Sequence, residues 1–212
     1  MQPLVVKTIE HAEGDYGLYT WPCAPQLAYL IHTRREFVKG KRVLELGAGT
    51  AVPGITAAKV GARLTTLTDR ATSQRLTAAL RQTCHLNRIP DSRVQILPLS
   101  WGVFSPQLLD LPPQDILLAS DCFYDSADFE DILATVSYFM DKNRHCKFWT
   151  SYQERSSNRS LWALLQRWGL RCEIIPLESV HGSSLWVKLE GPGVSKLNSP
   201  HTLRLWEISK HC

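Results

Sequence analysis

The chain has 212 residues, of which 44% are hydrophobic and 21% are charged, values close to those of ordinary globular proteins. This length is typical of one domain, and the composition excludes a disordered, collagen-like or coiled-coil chain. The net charge of +4 is small and the basic residues are scattered, so we expect no direct nucleic-acid binding.

Two further sequence features limit the class of protein. No apolar run is long enough to cross a bilayer, so we expect no membrane association. The six cysteines include no Cys-x-x-Cys pair, and we therefore predict neither a zinc knuckle nor any other metal site.

Strand-like and helix-like segments alternate along the chain, which is the pattern of a parallel sheet covered by helices on both faces. Strands are predicted at 42–46, 63–68, 93–99, 115–119, 146–150, 171–177 and 202–209. Helices are predicted after Trp21-Pro22 and at 51–60, 72–86, 127–141 and 159–168. No helix is predicted between the two closing strands, so we expect them to pair antiparallel, giving one antiparallel strand in seven.

The domain organisation follows from the same pattern. A single domain is predicted over 1–212, with an N-terminal extension at 1–20. Residues 181–201 hold most of the late glycine, serine and proline, so we interpret them as a long exposed loop between the last two strands.

A glycine-rich turn follows the first strand. Gly47-x-Gly49 between a strand and a helix is typical of nucleotide-binding turns, where the chain comes close to a ligand. A dinucleotide fold has a third glycine three residues later, where this chain has Val52, so a pyrophosphate site is poorly supported. The acidic Glu45 favours a cationic ligand instead, and S-adenosylmethionine carries a sulfonium and an ammonium group without phosphate.

A carboxylate ends the second strand. Asp69 lies twenty residues after Gly49, the position from which an acidic side chain accepts the ribose hydroxyls in nucleoside-binding sheets. A helix-capping aspartate is the alternative interpretation. The spacing relative to the glycine turn favours ribose binding.

The fourth strand ends in the segment 119–124, at the edge where open parallel sheets bind ligands. There Asp121 is placed to hydrogen-bond an acceptor nitrogen, and Tyr124 to form a wall of the site. Four acidic residues follow, and we interpret them as serving the start of a helix, whose dipole they offset. They are Asp125, Asp128, Glu130 and Asp131.

Three aromatic residues adjoin the predicted strand and helix ends. Trp101 directly follows the third strand, where an adenine ring would lie, while Trp21 precedes the first helix and Tyr152 ends the fifth strand. A core or surface aromatic is the alternative for each of them.

Taken together, these motifs resemble those of class I, seven-strand S-adenosylmethionine-dependent methyltransferases. The motifs are Glu45-x-Gly47-x-Gly49, Asp69 and Ser120-Asp121-x-x-Tyr124. Further motifs narrow the resemblance to the protein methyltransferases called methyltransferase family 16, over about residues 16–178. These are Tyr19-x-Trp21-Pro22, Asn87 and Trp101-Gly102.

The resemblance implies a Rossmann-like methyltransferase sheet with strand order 3-2-1-4-5-7-6, and S-adenosylmethionine as cofactor. It implies cofactor contacts from Trp21, Glu45, Gly47, Gly49, Asp69, Trp101 and Ser120. It also implies that Asp121 and Tyr124 are catalytic, and that Phe123 and Tyr152 contact the substrate.

The resemblance further implies transfer of a methyl group to a side-chain nitrogen of a protein. Most members methylate lysine in non-histone proteins, but the member most similar to this chain is regarded as a nuclear and cytoplasmic enzyme acting on arginine of histone H3. We therefore expect a histone H3 arginine methyltransferase of the nucleus and cytoplasm. The well-known arginine enzymes use a pair of glutamates that this chain lacks, so arginine specificity comes from the resemblance alone.

Other functions stay open at this stage. The chain would alternatively methylate lysine of a non-histone protein, modify a small molecule, or bind the cofactor and regulate a partner without turnover. A nucleic-acid amino-methyltransferase would carry Asp-Pro-Pro-Tyr where this chain has Asp121-Cys-Phe-Tyr124, and the missing prolines count against it.

Overall fold

The computed structural model describes residues 4–10, 16–70, 74–153, 161–180, 185–190 and 203–210. In chain order the strands are β1 (Leu4–Ile9), β2 (Arg42–Leu46), β3 (Leu64–Asp69), β4 (Val94–Pro98), β5 (Ile116–Ser120), β6 (Lys147–Gln153), β7 (Leu170–Ile174), β8 (Leu185–Glu190) and β9 (Leu203–Lys210). The helices are α1 (Cys23–Thr33), α2 (Arg35–Val38), α3 (Val52–Lys59), α4 (Gln74–Leu86), α5 (Pro106–Leu109), α6 (Phe129–Lys142) and α7 (Leu161–Arg167).

A seven-strand sheet forms the centre of the molecule, in the order β4-β3-β2-β5-β6-β9-β7. Strands β2 to β6 pair in parallel, and β9 runs antiparallel to both β6 and β7. Counting these seven strands along the chain gives the order 3-2-1-4-5-7-6. The predicted sheet with one antiparallel strand and the order implied by the resemblance are both confirmed.

Helices cover both faces of this sheet because the central strands are apolar on both sides. In β2, Leu44 and Leu46 lie in the core cluster formed with α6, while Val43 lies on the opposite face in the cluster formed with α1. Strand β5 is likewise buried from Ile116 to Ala119. Such continuous apolar strands are typical of parallel sheets enclosed between two helical layers.

A second, two-stranded sheet corrects one expectation. Strand β8 lies inside the segment 181–201 that the sequence analysis interprets as a loop, and it pairs in parallel with β1 of the N-terminal extension. Because the paired residues Leu4 and Leu185 are far apart in the chain, no local turn motif indicates that the two strands pair. The rest of the predicted loop (181–184 and 191–201), the first residues of the helices predicted at 72–86 and 159–168, and residue 202 lie outside the described residues.

Asn87 anchors β1 to the end of α4. Its side-chain oxygen accepts a hydrogen bond from the Lys7 amide (3.0 Å), and its amide group donates to the Lys7 carbonyl (2.6 Å) and the Thr83 carbonyl (2.8 Å). The side chain thus pairs with the backbone of β1 as a neighbouring strand would.

Among the described residues, no helix is long and apolar enough to cross a membrane.

Candidate active site

The site lies at the carboxyl ends of β2, β3, β4 and β5, where four loops meet. The Gly49 amide donates to the Asp69 carboxylate (2.9 Å), which joins the loops after β2 and β3. The ring of Trp101 and the thiol of Cys122 fill the space above Gly47. Trp101 lies in the loop after β4 and Cys122 in the loop after β5, so all four loops are in contact. The structure therefore brings the predicted site residues of four strands to one edge of the sheet.

Both glycines of the turn are required by backbone conformation and by space. Gly47 and Gly49 have φ values of +58° and +51°, a region that residues with a Cβ rarely adopt. A Cβ on Gly47 would lie 2.8 Å from the Cys122 sulfur, and one on Gly49 would lie 3.1 Å from the Gly17 carbonyl oxygen. Any larger residue would therefore clash with these neighbours, and the ligand contact of the turn stays a prediction.

Glu45 lies beneath the turn rather than on its surface. Its side chain is fully buried, and Oε2 accepts a hydrogen bond from the Gly54 amide (3.0 Å) at the start of α3. The other oxygen has no hydrogen-bond partner. Burial raises the pKa of this carboxyl well above its usual range; the Gly54 bond opposes the change and the charge of Asp69 adds to it. The visible role of Glu45 is to hold the helix start, and its contact with a cofactor stays a prediction.

Gly54 is a site residue that sequence reasoning missed. A Cβ at this position would lie 2.3 Å from Leu67 Cδ2 and 2.4 Å from Glu45 Oε2, so only glycine fits between α3 and the sheet. This is the close helix–strand packing that a dinucleotide turn assigns to its third glycine. The sequence signal for it is the glycine itself, two residues after Val52.

Asp69 links the glycine turn to the end of β3. Oδ2 accepts from the Gly49 amide and Oδ1 accepts from the Arg70 amide (2.8 Å). A carboxylate can accept several hydrogen bonds, and ribose hydroxyls are donors that suit it. The carboxylate is half-buried and faces the same turn, which is the geometry that ribose binding needs.

Trp101 lies beside the glycine turn, held there by the turn that follows it. Gly102 has φ of +71°, and its amide donates to Thr135 Oγ1 on α6 (2.9 Å). The six-membered ring of Trp101 is the part that reaches Gly47, since its Cζ2 would lie 3.0 Å from a Cβ there. An aromatic surface next to the turn is where the sequence analysis expects adenine.

Asp121 is held in a strained conformation immediately after β5. Its φ is +54°, in the left-handed region that aspartate and asparagine tolerate better than most residues. Its amide donates to the Ser151 carbonyl (2.7 Å), and its carboxylate accepts from the Gln153 amide (3.3 Å). Since strained residues cluster at functional sites, this geometry favours Asp121 over its neighbours as the functional residue.

Ser120 pairs with Ser151 at the end of β5.

Tyr124 lies at the mouth of the site with 43% of its surface exposed. Its hydroxyl accepts a hydrogen bond from the Arg70 guanidinium (2.8 Å). Partial burial raises the pKa of the Tyr124 phenol, although the charge of Arg70 opposes the change. The phenol is therefore neutral at physiological pH.

Phe123, for which the resemblance implies a substrate contact, lies in the core, and that contact stays a prediction. Phe123 is only 3% exposed and packs in the core, with its ring edge-on to Phe129 (5.3 Å between centroids). Tyr152 is half-buried, with its ring 5.0 Å from that of Trp206, and its substrate contact stays a prediction.

Trp21 lies at the edge of the site, directly before α1. Its carbonyl accepts from the Ala24 amide (3.0 Å), and its ring packs edge-on against Tyr19 (4.9 Å). Ser151 Oγ donates to the Cys23 carbonyl (2.8 Å), which fixes this segment beside the ends of β5 and β6.

The four acidic residues after Tyr124 have structural contacts. Asp125 accepts from the Ala127 amide (3.0 Å), Asp128 pairs with Arg70, and Glu130 pairs with Arg167; Asp131 lies against Gly102. In the part of the chain that the structure describes, no group of three or more His, Cys, Asp or Glu residues is arranged to hold a metal ion.

The fold and the geometry of the turn define an S-adenosylmethionine-dependent methyltransferase of class I. Residues 2–165 match a family model described as lysine methyltransferase. The chain belongs to this family, which confirms the resemblance stated in the sequence analysis.

The relatives of known name are also methyltransferases. The rat protein named histone-arginine methyltransferase METTL23 is 45% identical over 97% of this chain and 88% of its own length. The human protein of that name is 43% identical over 91% of this chain and 97% of its length. The zebrafish protein N-lysine methyltransferase METTL21A is 38% identical over 56% of this chain and 53% of its length.

Solved structures confirm the fold alone. The ribosomal protein L11 methylase of Lactobacillus delbrueckii subsp. bulgaricus superposes with a TM-score of 0.62 at 17% identity, covering 100% of both chains. The protein SMU.776, solved as a complex with SAH, superposes with a TM-score of 0.60 at 16% identity over 90% of this chain and 50% of that one.

Proposed function

We propose that this methyltransferase modifies arginine side chains of histones, with histone H3 as the first substrate to test, and that it acts in the nucleus and cytoplasm. The observation that carries the proposal is similarity to proteins named histone-arginine methyltransferase, at 45% identity over 97% of the chain for the rat protein. Because the similarity spans nearly the whole chain, it includes the segments that face the acceptor as well as the cofactor turn.

The residues of the turn fit S-adenosylmethionine. Gly47 and Gly49 form the turn after β2, the Asp69 carboxylate accepts from the Gly49 amide, and the Trp101 ring borders Gly47. Asp69 suits ribose hydroxyls and Trp101 suits a flat purine ring. When bound, the cofactor would supply a methyl carbon from which an uncharged nitrogen displaces the positively charged sulfur, so that the C–S bond breaks and a neutral thioether leaves.

The chain must then align the acceptor and remove a proton from it. Alignment of two reactants can lower a barrier by roughly 7–11 kcal/mol. An arginine side chain is effectively always charged in water, so its nitrogen must lose a proton within the site. Asp121 is nearly buried and is fixed by the backbone at Ser151 and Gln153, so it can orient the nitrogen and accept or relay that proton.

The test uses labelled S-adenosylmethionine with core histones, followed by complete hydrolysis and chromatography of the methylated amino acids. Asp121→Asn is the informative variant, because asparagine tolerates positive φ and can still accept from the Gln153 amide. Asp125→Asn is the matched control, since this carboxylate also accepts a backbone amide and lies four residues away on the surface.

We expect label in methyl-arginine with the wild-type protein. Loss of a general base lowers turnover by about 10²–10⁴-fold, so Asp121→Asn should show such a loss with unchanged cofactor affinity, while Asp125→Asn should match the wild type. Full turnover by Asp121→Asn would refute the role of Asp121.

Lysine methylation of a non-histone protein is the second candidate. It is favoured by the family description and by the similarity to the zebrafish N-lysine methyltransferase. The same assay with a cell extract in place of histones distinguishes the two, since label would then appear in methyl-lysine. Cofactor binding without label in either pool would contradict both and favour a regulator without turnover.

A further inference from the structure

Arg70 joins three loops across the mouth of the site. It directly follows Asp69, and its guanidinium donates to the Tyr124 hydroxyl at 2.8 Å. The same group lies 3.8 Å from the Asp128 carboxylate and 5.8 Å from the centre of the Trp101 ring. One side chain thus connects the cofactor side of the site, at Trp101, with the acceptor side, at Tyr124.

The contacts depend on the shape of an arginine side chain. A guanidinium is a flat group with several N–H donors, so it can stack on an aromatic face while bonding to a hydroxyl and a carboxylate at its edge. A lysine at this position would present a point charge without a flat face or a rigid fork of donors. The geometry of the Tyr124–Arg70–Trp101 arrangement therefore favours arginine.

Stabilisation of the fold does not account for this cluster. The Arg70 side chain is 56% exposed, and exposed ion pairs contribute little to the free energy of unfolding. Tyr124 lies at the mouth of the site with 43% of its surface exposed, and its hydroxyl is the group that Arg70 contacts. The effect of Arg70 is instead to restrict where the Tyr124 hydroxyl can lie.

We propose that Arg70 is a positioning residue that holds Tyr124 at the acceptor side of the site and ties it to Trp101. For its effect on turnover this inference rests on the proposed function, since it assumes that Tyr124 faces the acceptor nitrogen. The position of Tyr124 itself can be measured without any substrate.

The first test measures that position directly. With 3-fluorotyrosine incorporated at position 124, the fluorine resonance reports the surroundings and mobility of the ring. We expect Arg70→Ala to change the chemical shift of this resonance and to reduce its linewidth, so that both approach the values of a freely moving exposed tyrosine. Arg70→Lys should not restore the wild-type resonance. Arg75→Ala, which removes an exposed arginine on α4, is the matched control and should leave the resonance unchanged. An unchanged resonance in Arg70→Ala would overturn the inference.

The second test measures turnover with the substrate identified by labelling. Arg70→Ala and Tyr124→Phe should each lower kcat by about tenfold, equivalent to about 1.4 kcal/mol, with the KM for S-adenosylmethionine changed much less. If Arg70 acts through Tyr124, the double variant should lose no more than either single variant. Additive losses, or full activity in Arg70→Ala, would refute the positioning role.

The two tests separate the two proposals. If the wild-type protein transfers no methyl group to histones or to an extract, the proposed function fails, while the fluorine spectra still decide whether Arg70 positions Tyr124. If methyl transfer is observed and the spectra of wild type and Arg70→Ala coincide, the proposed function stands and the positioning role is wrong.

Discussion

Replacing Gly54 by alanine should destabilise the protein, although alanine is the better helix former. Gly54 lies in the first turn of α3, and a Cβ there would meet Leu67 Cδ2 at 2.3 Å and Glu45 Oε2 at 2.4 Å. Both neighbours are fully buried, so neither can move into solvent. The helix must therefore shift away from the sheet, or the two side chains must leave their positions.

The expected magnitude follows from three contributions. Alanine in place of glycine favours a helix by about 1 kcal/mol. Overpacking of a core costs about 1–3 kcal/mol, and displacement of the hydrogen bond between Gly54 and Glu45 costs about 1 kcal/mol more. The helix preference of alanine offsets about 1 kcal/mol of this cost. The free energy of unfolding should therefore fall by about 1–3 kcal/mol.

Urea unfolding of wild type and variant measures this difference. A second comparison tests its cause: in a Leu67→Val background, which lacks the Cδ2 atom, the cost of Gly54→Ala should fall by about 1 kcal/mol. Equal costs in the two backgrounds, or a gain in stability from Gly54→Ala, would refute the steric reasoning.

Cofactor binding and pH dependence provide two further predictions. Gly47→Ala places a Cβ 2.8 Å from the Cys122 sulfur and should weaken S-adenosylmethionine binding about tenfold or more by calorimetry; Gly40→Ala, also at positive φ but with no atom within 4 Å, should not. Burial raises the pKa of Glu45 in the folded state above its usual value near 4.5. The protonated carboxyl therefore contributes to stability in full below pH 4.5, and this contribution is lost as the pH rises towards the folded-state pKa. Glu45→Gln cannot titrate, so the free energy of unfolding of wild type relative to this variant should fall as the pH rises above 4.5; a constant difference would contradict the assignment.

The alternation of strands and helices made the main sheet predictable. Each central strand, such as β2, is an apolar run that ends in a turn residue, and each is followed by a helical period. The antiparallel closing strand was also predictable, because no helix was expected before β9. By contrast, the pairing of β1 with β8 joins Leu4 to Leu185, and nothing local in either segment indicates its partner.

The candidate site was predictable where a residue type is tied to backbone conformation or to a strand end. Gly47, Gly49, Asp69 and Asp121 meet this condition, and the structure places all four at one edge of the sheet. The direction of Phe123 was not predictable, since a loop residue has no period that separates a buried from an exposed face.

The fold class and the glycine turn can be read from the sequence, because both depend on local spacing of apolar and glycine residues. The packed structure is needed to show that Glu45 lies under the turn, that Gly54 lies between α3 and the sheet, and that Arg70 contacts Trp101 and Tyr124. These contacts join residues from separate loops and strands, and their distances are set by how α3 and four strand ends pack together. Spacing along a chain indicates which residues share an element, whereas packing decides which elements share a site.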